Sequence, residues 1–162
     1  MQYDKIRKRT SGLLAATGFT STQFEALLIS FKYHWEEYYS QYTLEGKPRQ
    51  RISYNRKTSQ LPLIQDKLLF ILVYLKTNPL QELQAVHFEM TQPQANQWIH
   101  LLSDILSRTL RTLGELPDRN SKRVQYLLSE CEDVLLDGTE RPIQRPSQED
   151  RQQSCYSGKK NT

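Results

Sequence analysis

Four amide side chains and a histidine lie within nine residues of one another in the segment TQPQANQWIH. A carboxamide presents a hydrogen-bond donor and an acceptor in one plane, which suits the adenine edge in the major groove of DNA. Helices that read DNA do so from their N-terminal turns, and this segment has the features of a helix start. The predicted base-contacting residues are Gln92, Gln94, Asn96, Gln97 and His100.

Cationic side chains are concentrated in two other places. The stretch TLEGKPRQRISYNRKTSQ contains a single acid, and its glycine and proline predict a loop or short hairpin. Such a loop can bind DNA phosphates, but a solvated linker has the same composition, so both interpretations stay open. Its candidate phosphate-binding residues are Arg49, Arg51, Arg56 and Lys57. The second cluster, at the N-terminus, consists of Lys5, Arg7, Lys8 and Arg9.

Length and composition limit the remaining classes of protein. A chain of 162 residues makes one ordinary domain, or one small domain with an appendage. Its 37% hydrophobic residues, in repeated apolar runs, predict a mostly folded chain. No run approaches the roughly 20 apolar residues of a membrane span, and the N-terminus lacks the apolar core of a secretory signal. These features predict a cytoplasmic protein without a membrane partner.

The cysteines and one isolated histidine give no sign of metal or disulfide chemistry. Cys131 and Cys155 are too few and too far apart to chelate a metal, and a cytosolic setting would keep both reduced. His34 has no second ligand at a useful spacing, which indicates a packing role.

Amphipathic helices must position these groups. The segment TSTQFEALLISFKYHWEEYYSQY begins with capping-box spacing between Thr20 and Gln23 and carries one apolar stripe, which predicts a long helix. LPLIQDKLLFILVYLKTNP is apolar around most of its circumference and predicts a central buried helix ending before Pro79. Residues 3–16 predict one or two short helices, with Leu13 and Leu14 as buried anchors.

Two further helices are predicted to meet across a tight turn. In LQELQAVHF the predicted inner face is Leu83, Val86 and either His87 or Phe88. Thr91 is a natural N-cap for the next helix, and Pro93 fits its first turn. The core face predicted for that second helix, from its spacing of three and four, is Ala95, Ile99, Leu102, Leu106, Leu110 and Leu113.

LQELQAVHFEMTQPQANQWI resembles a helix-turn-helix, with a support helix, a turn ending in an apolar residue, a threonine cap and a recognition helix. One position departs from the pattern, because Glu89 stands where the turn usually has glycine. A left-handed conformation at Glu89 would cost roughly 1 kcal/mol or more. The alternative is that these two helices only pack an all-α core.

Beyond Gly114 and Pro117, LPDRNSKRVQYLLSE predicts a short helix, and ECEDVLLDGTE switches to a strand-like run over residues 132–137. LLDGTERPIQRP, followed by YSGKK, resembles the first catalytic segment of insertion-sequence transposases of the DDE superfamily that carry an N-terminal helix-turn-helix. The resemblance implies a mainly α chain in which a helical N-terminal domain with the helix-turn-helix precedes the first strand of an RNase H-like α/β domain.

In that family three carboxylates hold two divalent cations, Mg²⁺ or Mn²⁺, which activate water and then a 3′-hydroxyl against phosphodiesters. The resemblance makes Asp137 the first of these catalytic, metal-binding carboxylates. No second aspartate or glutamate of the family pattern follows before Thr162, so we expect the RNase H-like domain to be truncated and no metal to bind this chain alone. Enzymatic activity stays open, because frameshifting could complete the domain.

The predicted organisation is a helical segment (1–43), a basic loop (44–60), the helix-turn-helix domain (61–116) and the start of the nuclease domain with a disordered tail (117–162). The resemblance implies binding to double-stranded DNA at terminal inverted repeats, a bacterial and nucleoid-associated location, no small-molecule substrate, and room for a homo-oligomer. The alternative function is a helical protein-interaction or dimerisation module.

Overall fold

The structure, a computed structural model, describes residues 1–9, 11–50, 60–116, 120–129, 147–148 and 152. These residues form helices and no strand. The helices are α1 (Tyr3–Arg7), α2 (Gly12–Thr17), α3 (Ser21–Gln41), α4 (Ile64–Thr77), α5 (Gln81–His87), α6 (Gln92–Leu113) and α7 (Ser121–Ser129). The chain divides into two compact units, Met1–Pro117 and Asp118–Thr162.

The first unit is built around α4. Residues 66–73 of this helix are buried, which the apolar run predicted for residues 68–73 but not for Asp66 and Lys67. The helix ends where Asn78 adopts a left-handed conformation with φ 42°, directly before Pro79. Helices α1, α2, α3 and α6 all pack against α4. The prediction of a central buried helix is therefore confirmed.

Helix α3 begins with the predicted capping box. The Thr20 backbone N–H donates to Gln23 Oε1 at 3.0 Å, and the Gln23 N–H donates to Thr20 Oγ1 at 3.3 Å. The apolar stripe then buries Phe24, Leu27, Phe31 and Trp35 against α4 and α6. This long helix forms one wall of the core.

Two short helices cover another side of α4. In α1, the Tyr3 backbone N–H donates to Asp66 Oδ1 at 2.8 Å, and the Tyr3 ring stacks on Phe24 with centroids 5.0 Å apart. In α2, Leu13 is buried as predicted, but Leu14 is 49% exposed and its predicted burial is wrong. The next residue of an α-helix lies about 100° around the axis, so only one of two consecutive leucines can face α4.

Helix α6 carries the predicted core face. Ala95, Ile99, Leu102 and Leu106 are buried, and Leu110 is partly buried. Leu113 is 44% exposed, contrary to prediction, because it occupies the last turn before Gly114 ends the helix with φ 76°. Trp98, Leu101, Ile105 and Thr109 are buried as well, so α6 buries a wider face than the spacing predicted.

In the second unit, the predicted short helix is confirmed as α7, with Val124 half-buried. The predicted strand over residues 132–137, including Asp137, lies outside the described residues, as does most of the tail. Among the residues that the structure describes, no helix is long and apolar enough to cross a membrane.

One charged side chain lies in the core of the first unit. Lys67 of α4 is 3% exposed, its Nζ donates to the Leu61 carbonyl oxygen at 2.5 Å, and it lies 4.9 Å from the Trp35 ring and 5.8 Å from the Trp98 ring. Burial lowers the pKa of the Lys67 ammonium from 10.5 to about 8, and the Asp66 carboxylate offsets part of that shift.

This shift makes stability depend on pH. Between the folded pKa of about 8 and the unfolded value of 10.5, the unfolded chain binds more protons, so the free energy of unfolding rises with pH. Burial raises the pKa values of Tyr3 and Tyr38 above 10.0, so these phenols lower stability only at higher pH. The Met1 amino group, whose pKa burial lowers from 8.0, adds a smaller rise near pH 8, so the window from pH 8 to 10 reports mainly on Lys67.

We predict that Lys67→Met stabilises the chain at pH 7 by about 1–3 kcal/mol, because it removes a desolvated charge at the expense of one hydrogen bond. The same variant should abolish the rise in unfolding free energy between pH 8 and 10, measured by urea denaturation. Lys76→Met is the matched control, since Lys76 of α4 also donates to a carbonyl, that of Leu14, but is exposed. A rise that persists in Lys67→Met would contradict the prediction.

Candidate nucleic-acid interface

Helices α5 and α6 are joined by a four-residue turn, residues 88–91, within the length typical of a helix-turn-helix. The Met90 N–H donates to the Ala85 carbonyl at 3.0 Å, which closes the turn, and Met90 packs partly buried against the core. Glu89 lies in the left-handed region with φ 55°. The turn therefore has the conformation that the helix-turn-helix pattern requires, with a glutamate in place of glycine.

The inner face of α5 differs from the prediction. Leu83 and Val86 are 48% and 68% exposed, so their predicted burial is wrong. The buried residues are Gln84, Ala85 and Phe88, the last being one of the two alternatives at its position. Phe88 meets the Phe70 ring edge-on at 4.8 Å, and Gln84 Nε2 donates to the Phe70 carbonyl at 3.0 Å. These two contacts turn Leu83 and Val86 away from α4.

The start of α6 is fixed by its own side chains. The Thr91 backbone N–H donates to Gln94 Oε1 at 3.0 Å, which completes the predicted cap as a capping box. Gln94 is half-buried and holds the helix terminus. At about 100° per residue, Gln92 and Gln94 lie on different sides of the helix, so the structure separates these two predicted readers.

An amide network connects α6 to α5. Gln81 Nε2 donates to Asn96 Oδ1 at 3.1 Å, and Gln92 Nε2 donates to Gln81 Oε1 at 2.8 Å. Gln81, in the first turn of α5, was not among the predicted site residues. The sequence signal for Gln81 was an amide side chain on the helix next to α6, and the spacing within α6 alone does not reveal it. The structure thus brings Gln92 and Asn96 together through Gln81.

The other two predicted readers face the hairpin. Gln97 and His100 line an open cleft of about 380 Å³ with residues 44–46 on its other side. His100 is exposed and Gln97 is half-buried. Asp104 also lines the cleft, and its carboxylate pairs with Arg108 at 2.7 Å, one turn further along α6. The start of the basic segment and α6 therefore adjoin one another.

The basic segment begins as the predicted hairpin. Tyr42 and Pro48 form an antiparallel bridge, the Thr43 N–H donates to the Lys47 carbonyl at 2.9 Å, and Gly46 has φ 76°. Arg49 Nε donates to the Tyr42 carbonyl at 2.7 Å. The remaining predicted phosphate-binding residues, Arg51, Arg56 and Lys57, lie outside the described residues.

An aromatic stack joins this hairpin to α6. The Arg49 guanidinium lies 4.0 Å above the Tyr39 ring, and Tyr39 stacks on Trp35 with centroids 5.0 Å apart. Trp35 in turn lies 5.9 Å from Trp98, a buried residue of α6 next to Gln97. Arg49 is thereby connected to α6 through Tyr39, Trp35 and Trp98.

Metal chemistry has no support within the described residues, among which no group of three histidine, cysteine or acidic side chains could hold a metal ion. Asp137, the predicted first carboxylate for Mg²⁺ or Mn²⁺, lies outside them, and its role stays a prediction.

The strained turn yields a measurable expectation. We predict that Glu89→Gly raises the free energy of unfolding by about 1 kcal/mol, because glycine adopts positive φ without a Cβ clash. Urea denaturation of the full chain measures the change. Glu82→Gly, an exposed position within α5, is the matched control and should lower stability by roughly 0.5–1 kcal/mol. A loss of stability in both variants would show that Glu89 carries no strain.

Comparison with known proteins gives a match to this part of the chain. Residues 59–112, a third of the chain, match the family described as helix-turn-helix of DDE superfamily endonuclease. The matched segment contains α4, α5 and all but the last residue of α6. No curated protein and no solved structure matches the chain. The segment that carries the α5–turn–α6 arrangement is thus similar to the helix-turn-helix of DDE superfamily endonucleases.

Proposed function

We propose that the chain binds double-stranded DNA by inserting the N-terminal turns of α6 into the major groove, and that its targets are the terminal inverted repeats of a transposable element. The observation that carries the proposal is the α5–turn–α6 geometry, with its left-handed residue Glu89 and its polar α6 start. A helix-turn-helix places the first turns of its second helix against base edges.

Base contacts fall to the side chains that the fold leaves accessible. Gln92 and His100 are exposed, and Asn96 is half-buried with its amide oriented by Gln81. Gln97 lies beside His100 at the hairpin cleft and adds a base contact there, whereas Gln94 caps the helix and contributes from the margin. One well-formed amide or imidazole contact to a base discriminates by about 1–3 kcal/mol.

The basic segment makes the contacts to the DNA backbone. Arg49 is stacked on Tyr39 and donates to the Tyr42 carbonyl through Nε, which leaves its terminal N–H groups for a phosphate. Arg51, Arg56 and Lys57 follow it in the chain and extend the same charge. Contacts of this kind fix the register of the protein on DNA and make affinity fall steeply with salt.

The first experiment is selection of duplexes from a random-sequence library by the full chain, followed by anisotropy titrations of the selected duplex and a shuffled one. We expect Gln97→Ala and His100→Ala to lose about 1–3 kcal/mol of preference for the selected duplex while largely keeping their affinity for the shuffled one. Ser107→Ala is the matched control, because Ser107 is exposed two turns beyond His100 on the same face of α6.

Three outcomes would count against the proposal. Binding that is absent or indifferent to salt would remove DNA as the partner. An unchanged preference in both variants would remove this face of α6 as the reader. Selected sequences unrelated to the inverted repeats of any element would remove the proposed target while leaving DNA binding in place.

A second candidate function is self-association, favoured by the apolar ridge of Leu80, Leu83 and Val86 on the outer side of α5. Three neighbouring exposed apolar residues in this part of the chain suit an isologous contact with a second copy. If this ridge forms a dimer, Val86→Glu should yield a monomer in light scattering without DNA. Leu75→Glu, at an exposed leucine of α4, should leave the dimer intact. A monomeric wild-type chain would remove this candidate.

A further inference from the structure

A second cationic site lies beside the helix-turn-helix. A groove of about 540 Å³ opens between α1, α2 and the last turn of α5. Its polar rim includes Lys5, Arg9 and His87, and its floor includes Ile6, Ala15 and Ala16. Neither the base-reading face of α6 nor the hairpin contributes to it.

The charged side chains that line this groove are positive, although the Glu89 and Asp66 carboxylates also act on the Met1 amino group in its lining. Lys5 and Arg9 are exposed at its rim, and none of the described residues that line it is acidic. Lys5 and Arg9 make no side-chain ion pair with any other described residue.

The groove is held rigidly on the core. Tyr3, two residues before Lys5, is 5% exposed, and its backbone N–H bonds to the carboxylate of Asp66 in α4 at 2.8 Å. Just after the C-terminal end of α1, the Arg9 N–H donates to the Ile6 carbonyl and the Gly12 N–H donates to the Arg9 carbonyl, each at 3.0 Å. The backbones that carry Lys5 and Arg9 therefore need no ordering when a ligand arrives.

The groove also has a defined place relative to α6. His87 is the last residue of α5 and stands directly before the turn, and the Met1 amino nitrogen donates to its carbonyl oxygen. The first residue of α6, Gln92, follows five positions later. In the complex proposed above, the start of α6 enters the major groove, about 12 Å wide, and the end of α5 faces a strand that borders it.

We propose that Lys5 and Arg9 bind phosphodiester groups of the DNA strand that borders the major groove on the side of the α5 C-terminus. This inference rests on the proposed function and adds a second line of backbone contacts to it. The hairpin and the N-terminal groove then clamp the duplex from two directions while α6 reads the bases. Contacts of this type fix orientation and carry no sequence information.

The test uses the full chain and the selected duplex. Lys5→Gln with Arg9→Gln removes two charges from the groove, and Arg7→Gln with Lys8→Gln is the matched control that removes two exposed charges next to it. The readout is the slope of log K against log salt concentration. We expect the groove pair to reduce its magnitude by about 1–2, at roughly 0.9 for each phosphate that is no longer neutralised, and the control pair to change it by much less.

Ethylation interference on the same duplex locates the phosphates that the groove binds. In the groove pair, interference should disappear at one or two phosphates on a single side of the site, while the control pair keeps the wild-type pattern. If the double variant fails to fold, Lys5→Gln and Arg9→Gln separately should each reduce the slope by about 1.

The outcomes separate this inference from the function on which it rests. A wild-type chain that does not bind duplex DNA overturns both. Sequence-selective, salt-dependent binding by the wild type, with equal slopes for the groove and control pairs, overturns the groove alone. Interference that disappears on both sides of the site also overturns it, because that pattern reflects the general positive charge of the N-terminus.

Discussion

Burial of residues 66–73 of α4 is the constraint on which the first unit depends. Eight consecutive buried positions occupy every side of a helix, so this part of α4 must be covered by other helices, and α1, α2, α3 and α6 supply that cover. Each fully buried leucine, isoleucine or phenylalanine of its run contributes roughly 1.5–3 kcal/mol of apolar burial. The short helix α5 could not be stable alone, and it joins this frame through Phe88 against Phe70. The contacts that α4 makes with α5 and α6 therefore set the orientation of α5 relative to α6.

Two polar side chains interrupt this apolar frame at informative places. Lys67 extends from α4 to the Leu61 carbonyl and lies against the tryptophans of α3 and α6, and Gln84 extends from α5 to the Phe70 carbonyl. Gln84 Oε1 has no hydrogen-bond partner among the described residues, which costs about 1–3 kcal/mol. Both groups lower the stability of the core. Each also connects a separate segment of the chain to α4 at a defined position, so the loss of stability is accompanied by a defined orientation of these segments.

The long helices could be predicted from the sequence because their periodic signal extends over many turns. The ends of α3, α4 and α6 were marked by Thr20, Pro79 and Thr91, and the structure agrees with them. Helix α5 has only seven residues, with apolar side chains on two sides, so spacing could not decide between Leu83 with Val86 and Ala85 with Phe88. The position of Phe70 on α4 determines which pair is buried, and that tertiary contact cannot be read from the local sequence pattern.

The candidate site was likewise predictable where local spacing decides and not where tertiary packing decides. Local spacing located the polar start of α6, but the role of each amide depends on partners distant in the chain, such as Gln81 for Asn96. The helical repeat alone could have separated Gln92 from Gln94, whereas the placement of Gln97 beside the hairpin required the packing of α3 on α6. The aromatic stack from Arg49 to Trp98 likewise joins residues whose types were visible but whose adjacency was not.

For the proposed binding to DNA, the amide network determines how the free protein would meet a base. Asn96 Oδ1 accepts one hydrogen bond from Gln81, which fixes the plane of the Asn96 amide before DNA arrives. A carbonyl oxygen has two lone pairs, so Asn96 keeps one acceptor site and both N–H donors for an adenine edge. Because this side chain is already ordered, binding forfeits less rotamer entropy than it would with a free amide. Orientation by Gln81 therefore favours base discrimination through Asn96.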